Sequence, residues 1–304
     1  MAILDENAIQ YVGIPRMKKI SAHVENLKML KEAINSSCNS IRFGAEFCMW
    51  KMPTLDLLRE TYAVVENAKK DFKYVTPRLS DGALSKVREH LDFLESRGEN
   101  EVVINDLGML NVLLAYKNLK PRLGRQLIFI PARCPWPELP GWDAGYFEKR
   151  WVKKLFYQTS LNFEESIRFY KNYHACGADL DFIPECFPHY EFLVKHGLSL
   201  SVHLFLAPTA ITRRCHVARF LGEEIPENCS KPCDEKAFLI KHDVIGVEMT
   251  LGGNVVYKNS QPSKREIEKL KIADELIITM SPATEIKNKE KFDEIINNLG
   301  LTYS

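Results

Sequence analysis

The sequence predicts an α/β chain folded as a (β/α)8 barrel, regular or distorted, and three observations carry that prediction. Short β-rich runs alternate with amphipathic helical stretches for most of the 304 residues, the pattern of a parallel sheet with helical crossovers. Eight such runs can be placed. A hydrophobic content of 45% is enough for one large core, at a length usual for a single barrel.

In order, the strands are expected at 19–24, 40–43, 74–77, 102–105, 127–130, 181–183, 200–206 and 276–280. Between them apolar residues recur at helical spacing, as in Leu27, Leu30 and Ile34, then Leu57, Leu58, Val64 and Val65, then Leu84, Val87, Leu91 and Leu94. Asn26 and Asp106 suit helix N-caps, and Gly98, Gly177 and Gly197 fall where helices should end. Two segments break the alternation. Residues 134–161 are rich in Pro and aromatics, including Pro135, Trp136, Pro137, Pro140, Trp142, Tyr146, Phe147 and Trp151, and read as a long packed loop ahead of a lid or partner surface. Residues 238–257 alternate around Gly252-Gly253-Asn254 and read as a β-hairpin. The whole chain, 1–304, is thus read as one domain, with a cysteine segment and hairpin over 207–257 appended to the barrel's carboxyl-terminal rim.

Forty-one Lys plus Arg against 40 Asp plus Glu leave a net charge of +1, so no general attraction to nucleic acid or to an anionic membrane is expected. The first residues, from Met1 to Asn7, lack the basic-then-apolar order of a signal peptide, and no apolar run is long enough to span a bilayer. A cytoplasmic location is therefore expected. In a reducing compartment, eight cysteines read as thiols or metal ligands before disulfides.

Three of them form the pattern C-x13-C-x3-C at Cys215, Cys229 and Cys233. Thiolates are soft anionic ligands, so three brought together favour zinc or an iron–sulfur cluster, given one more ligand. Cys48 stands just past the second strand, on the rim where a barrel presents functional groups. Cys134 and Cys186 also follow strands and stay open as alternatives, whereas Cys38 and Cys176 suit small apolar fillers.

Several motifs carry a resemblance: Ile20-Ser21-Ala22-His23-Val24-Glu25-Asn26-Leu27, Ser40-Ile41-Arg42-Phe43-Gly44, Asn105-Asp106-Leu107-Gly108, Gly177-Ala178-Asp179 with Ile183-Pro184-Glu185, and Val202-His203. Together they are similar to the collagenase-like peptidase family numbered thirty-two, most of all to its UbiV-like branch of oxygen-independent hydroxylase subunits. The resemblance covers most of the chain and implies a [4Fe-4S] site on Cys48, Cys215, Cys229 and Cys233. Spacing alone leaves a structural four-cysteine zinc site as an equal alternative. A C-x3-C-x2-C motif is absent, which argues against radical adenosylmethionine chemistry. Neither H-E-x-x-H nor G-x-S-x-G occurs, so peptidase chemistry has no support.

The resemblance further implies hydroxylation without dioxygen of a small aromatic or quinone-like molecule, with prephenate as hydroxyl donor. Polar residues at expected strand ends could serve it: Glu46, Arg78, Asp106, Glu185 and His203, with Asn105, Arg125 and Gln126 nearby, since Arg pairs with carboxylates and His or Glu moves protons. Each has a plainer role available, Asp106 as a helix cap, the arginines in salt bridges and His203 as a hydrogen-bonded core residue. Arg213 and Arg214 flank Cys215, where cations would favour a reduced, net-negative cluster. Two other functions accompany this one: a noncatalytic cluster-bearing partner of a homologous subunit, and an RNA-modifying hydroxylase, which the balanced charge disfavours.

Overall fold

The computed structural model describes residues 19–136, 145, 149–223, 225–241 and 246–301. Strands β1 Lys19–Val24, β2 Ser40–Phe43, β3 Asp71–Val75, β4 Asn100–Ile104, β5 Leu119–Leu123, β6 Gly177–Asp181 and β7 Ser199–His203 lead, after β8 Phe205–Ile211, β9 Phe238–Ile240, β10 Met249–Gly252 and β11 Val255–Ser260, to β12 Glu275–Thr279. The first seven and β12 close into a barrel in the order β1-β12-β7-β6-β5-β4-β3-β2, every pairing parallel. This is the expected (β/α)8 architecture. Helices lie between the strands and cover the outside with their apolar stripes. In Leu27–Asn35, Met29, Leu30 and Ala33 are buried and Asn26 caps the first turn by accepting from the Met29 amide at 2.9 Å.

The third and fourth strands begin at Asp71 and Asn100, ahead of the expected 74 and 102, and three further boundaries differ. The fifth strand is Leu119–Leu123, because Pro121 is tolerated at its outset: its carbonyl faces Cys176, ahead of the first β5–β6 pair at Arg122 and Gly177, so no ladder donor is missing there. The run 127–130 is instead a rim loop whose Ile128 and Ile130 point inward. The sixth strand starts at Gly177, which therefore opens a strand and ends no helix, and the run 200–206 is two strands, broken where Phe205 takes a φ of 76°.

The expected hairpin at Gly252-Gly253-Asn254 joins β10 and β11, with Gly253 at a φ of 62°, inside a larger antiparallel sheet of order β8-β11-β10-β9. In the 134–161 segment the described part includes a helix, Arg150–Tyr157, held by buried Val152. Pro137, Pro140, Trp142, Tyr146 and Phe147 lie outside the described residues. Among the described residues no helix is long and apolar enough to cross a membrane.

The barrel interior is ionic, where most barrels are filled by branched apolar side chains. Arg42 donates to Asp179 and, through Nη2 at 2.6 Å, to Glu275; Lys73 reaches Glu275 at 2.7 Å and Glu101 at 3.1 Å; Arg122 pairs with Glu101 at 2.6 Å. The hydroxyls of Ser21 and Ser201 also donate to Glu275. Burial alone would raise the Glu275 pKa, but Arg42 and Lys73 hold it well below the usual carboxylate range.

Candidate functional site

Between the barrel's carboxyl-terminal rim and the appended sheet lies a cavity of about 1020 Å³. Cys48, Cys215, Cys229 and Cys233 all line it, and Cys38, Cys134, Cys176 and Cys186 do not. Each arrives by its own local device. The chain leaves β2 through Gly44, and Cys48 stands at the head of a 3-10 turn at Met49–Lys51. Cys215 caps the short helix His216–Phe220 and accepts from the Ala218 amide at 3.4 Å. Cys229 accepts from the Lys231 amide at 3.4 Å, and Lys231 adopts a left-handed φ of 62° there. Cys233 packs on Gly253, where an added Cβ would lie 3.7 Å from its sulfur. Thus two of the four sulfurs, those of Cys215 and Cys229, accept backbone N–H groups, which stabilise thiolates.

Lys51 joins the two halves of this site. Its buried ammonium pairs with Glu25 on the barrel and, at 2.7 Å, with Asp234 beside Cys233. Asn254 adds a second tie, donating to the Phe47 carbonyl at 3.0 Å and the Thr212 carbonyl at 2.9 Å. Burial pushes the Cys233 thiol up to about 12, so ionising it requires a positive partner. Arg78, Arg213, Arg214 and Arg219 line the same cavity and give it a cationic rim.

Four thiols converging on one cavity are the donor type that holds a thiolate-bound group, a zinc ion or an iron–sulfur cluster alike.

Of the five polar residues expected at strand ends to serve the chemistry, only Arg78 lines this cavity. Glu46 and His203 lie together in the buried barrel mouth, where Glu46 accepts from Arg125 at 2.8 and 2.6 Å. Asp106 accepts from the Gly108 amide at 2.8 Å and the Leu79 amide at 3.3 Å, a local backbone role near its plainer reading, although the N-cap position of the helix Gly108–Leu113 is Leu107. Glu185 is exposed on the turn Pro184–Cys186, because β6 ends four residues before it and the chain has already turned outward.

Phe47 and Tyr257 meet edge to face at 6.0 Å and form the floor of the cavity, with the Arg125 guanidinium 5.3 Å from the centre of the Phe47 ring. Beneath them Arg125 also donates to Asp181 at 3.0 Å, and Arg133 pairs with the other Asp181 oxygen. Sequence reasoning missed His23, Lys51, Arg133, Asp179 and Asp181 as members of this centre. For His23, Asp179 and Asp181 the signal was present as polar residues at alternate positions of β1 and β6, one face of each strand, whereas Lys51 and Arg133 sit on 3-10 turns that carry no such periodicity.

Burial and Arg125 push His203 down to about 4, and burial with nearby Lys86 does the same to His90, whose ring accepts or donates at 2.6 Å to the Tyr74 hydroxyl. Both pKa values are lowered on folding, so below the unfolded value of about 6.5 the unfolded chain binds protons that the native chain refuses. Stability is thus fully present above about pH 6.5 and is lost as pH falls toward 4, by up to about 3 kcal/mol per histidine. Glu46 and Glu101, each held near 2 against the opposing effect of burial by Arg125 and Arg122 respectively, add their losses only below about 4.5. Urea midpoints should therefore fall between pH 6.5 and 4.5, and less so in His90→Gln; a flat profile would contradict the buried neutral state.

No protein-family model and no curated protein matches the sequence. Among solved structures, the U32 peptidase Mk0906 is similar at 13% identity and a TM-score of 0.47, over 91% of this chain and 98% of that one. Orotidine 5'-monophosphate decarboxylase from Sulfolobus solfataricus follows at 10% and 0.37, over 91% and 99%. Dihydropteroate synthase from Xanthomonas albilineans is at 13% and 0.37, over 90% and 91%. At these scores the fold rests on the strand order itself: a parallel eight-stranded α/β barrel with a cysteine-lined cavity at its rim.

Proposed function

We propose that the chain is an iron–sulfur protein of the oxygen-independent hydroxylase type, with a [4Fe-4S] cluster on Cys48, Cys215, Cys229 and Cys233. The observation that carries this reading is the convergence of those four cysteines, and of no other cysteine, on one cavity. When bound, such a cluster supplies single electrons to a neighbouring molecule. The chain's own residues do the rest. Phe47, Tyr257 and Trp50 offer flat apolar faces to a small aromatic or quinone-like molecule, and Arg78 and Gln126 offer donors to a carboxylated hydroxyl donor such as prephenate. The cationic rim offsets the net negative charge of a four-thiolate cluster.

A second reading, a noncatalytic cluster-bearing subunit that works with a homologous partner, is favoured by exposed Phe220, Ile225 and Leu239 on the cysteine segment. Anaerobic purification tests the first. About four iron and four sulfide per chain are expected, with the broad absorption of a cluster, and Cys229→Ser should lose most of all three. Stoichiometric zinc in the anaerobic wild type, or full iron and sulfide in Cys229→Ser, would overturn it. Arg78→Ala should keep the absorption and lose turnover; hydroxylation only in the presence of a homologous subunit would favour the second reading.

A further inference from the structure

We infer that His23, Glu46 and His203 form a binding site for one divalent first-row transition ion, beneath the cavity floor and separate from the cysteines. A ring nitrogen of each histidine and a carboxylate oxygen of Glu46 all lie within 4.8 Å of one another, and the three residues are 2%, 3% and 2% exposed for His23, His203 and Glu46. They come from β1, from the loop after its neighbour β2 and from the end of β7, which stands on the far side of β12, so only the closed barrel brings them together.

Their hydrogen bonding leaves lone pairs and no donor among them. The His23 Nε2 lies 2.9 Å from the Gly44 carbonyl, which can only accept, so Nε2 carries the proton and Nδ1 is bare. That Nδ1 is buried without a hydrogen-bond partner among the described residues, as are both ring nitrogens of His203. Asp179 stands 3.6 Å from the His203 Nε2 and draws the proton to that side, leaving Nδ1 bare there too. Each Glu46 oxygen accepts once from Arg125 and retains a lone pair. A buried acceptor left unmatched is costly, and two imidazoles facing a carboxylate are matched by a cation.

Two imidazole nitrogens and one carboxylate oxygen, with positions left open, are the donor set that holds Fe(II) and related ions in facial sites. The outer contacts agree in kind: a ligating histidine usually directs its other N–H to a carbonyl or a carboxylate, and here the Gly44 carbonyl takes that of His23 while Asp179 faces the His203 ring at 3.6 Å, beyond hydrogen-bond length. The surrounding arginines and acids are already paired, so the ion enters as excess positive charge and its open positions favour an anionic ligand.

Chelator-treated full-length chain titrated with Mn(II), a hard ion that thiolates bind poorly, tests this by electron paramagnetic resonance. One saturable Mn(II) per chain is expected, weakened at least tenfold in His23→Gln and in His203→Gln and unchanged in Cys229→Ser. Co(II) added to Cys229→Ser/Cys233→Ser should give weak visible bands without intense thiolate absorption. If His203→Gln fails to fold, Glu46→Asp, which keeps the charge and moves the oxygen, should weaken binding and abolish the metal-induced rise in melting temperature. A wild-type chain that binds neither ion one to one, or histidine variants that bind as wild type does, would overturn the site. Loss of the cysteine-bound group alone leaves these outcomes untouched, so the two proposals fail separately.

Discussion

Arg42→Met is expected to destabilise the barrel by about 3–5 kcal/mol, the usual cost of removing one partner from a buried ion pair. The Arg42 guanidinium is 1% exposed and bonds Asp179 and Glu275 together across the interior. Its loss falls unequally on the two acids. Glu275 keeps Lys73 and the hydroxyls of Ser21 and Ser201. Asp179 keeps only Arg122 at 3.9 Å and the ring of His203 at 3.6 Å, neither at hydrogen-bond length. The penalty should therefore be mostly that of a bare buried charge on Asp179. Adding Asp179→Asn to Arg42→Met should recover a good part of it in urea unfolding, although each single change destabilises. A single variant that costs under about 1 kcal/mol, or a double variant that is fully additive, would show that the pair is not carrying the interior.

This ionic interior marks the limit of what could be read from the sequence. Strands at 19–24 and 40–43 were legible because an apolar face alternates with the polar one, and 276–280 because it is a nearly continuous apolar run. What the polar face does was not legible, since Arg42, Asp179 and Glu275 look like exposed positions until the barrel closes around them. The error at 127–130 has a related cause. An apolar pattern reports burial and not pairing, and Ile128 and Ile130 are buried under a loop while Phe129 is 66% exposed. The true fifth strand was hidden by Pro121 and by Lys120 and Arg122. The place of the four cysteines was easier, because Cys48 follows β2 at the rim and the other three follow β8 in one short segment, and all four line the same cavity. The polar site residues were harder, because a shift of a few residues at a strand end decides whether a side chain such as Glu185 meets the rim or the solvent.

Gly44→Ala should be as damaging as any charge change, and it links the barrel to both candidate sites. Gly44 stands at a φ of 128°, and an added Cβ would lie 2.1 Å from the Val75 carbonyl oxygen of β3. That oxygen belongs to the backbone of a neighbouring strand, so it cannot swing aside as a flexible side chain would. Two penalties add: the positive φ, at roughly 1–2 kcal/mol, and a backbone clash that forces β2 and β3 apart, for about 4 kcal/mol or more in all. Gly98 supplies the control, with a φ of 97° and nothing within 4 Å of its would-be Cβ. Gly98→Ala should cost only the conformational part, about 1 kcal/mol. Because Gly44 accepts from His23 and directs the chain to Glu46 and Cys48, any Gly44→Ala protein that folds should also lose Mn(II) affinity and iron content, whereas Gly98→Ala keeps both. Equal urea midpoints for the two variants would mean that β2 and β3 can separate at this point, and that the exit from β2 does not fix the position of either site.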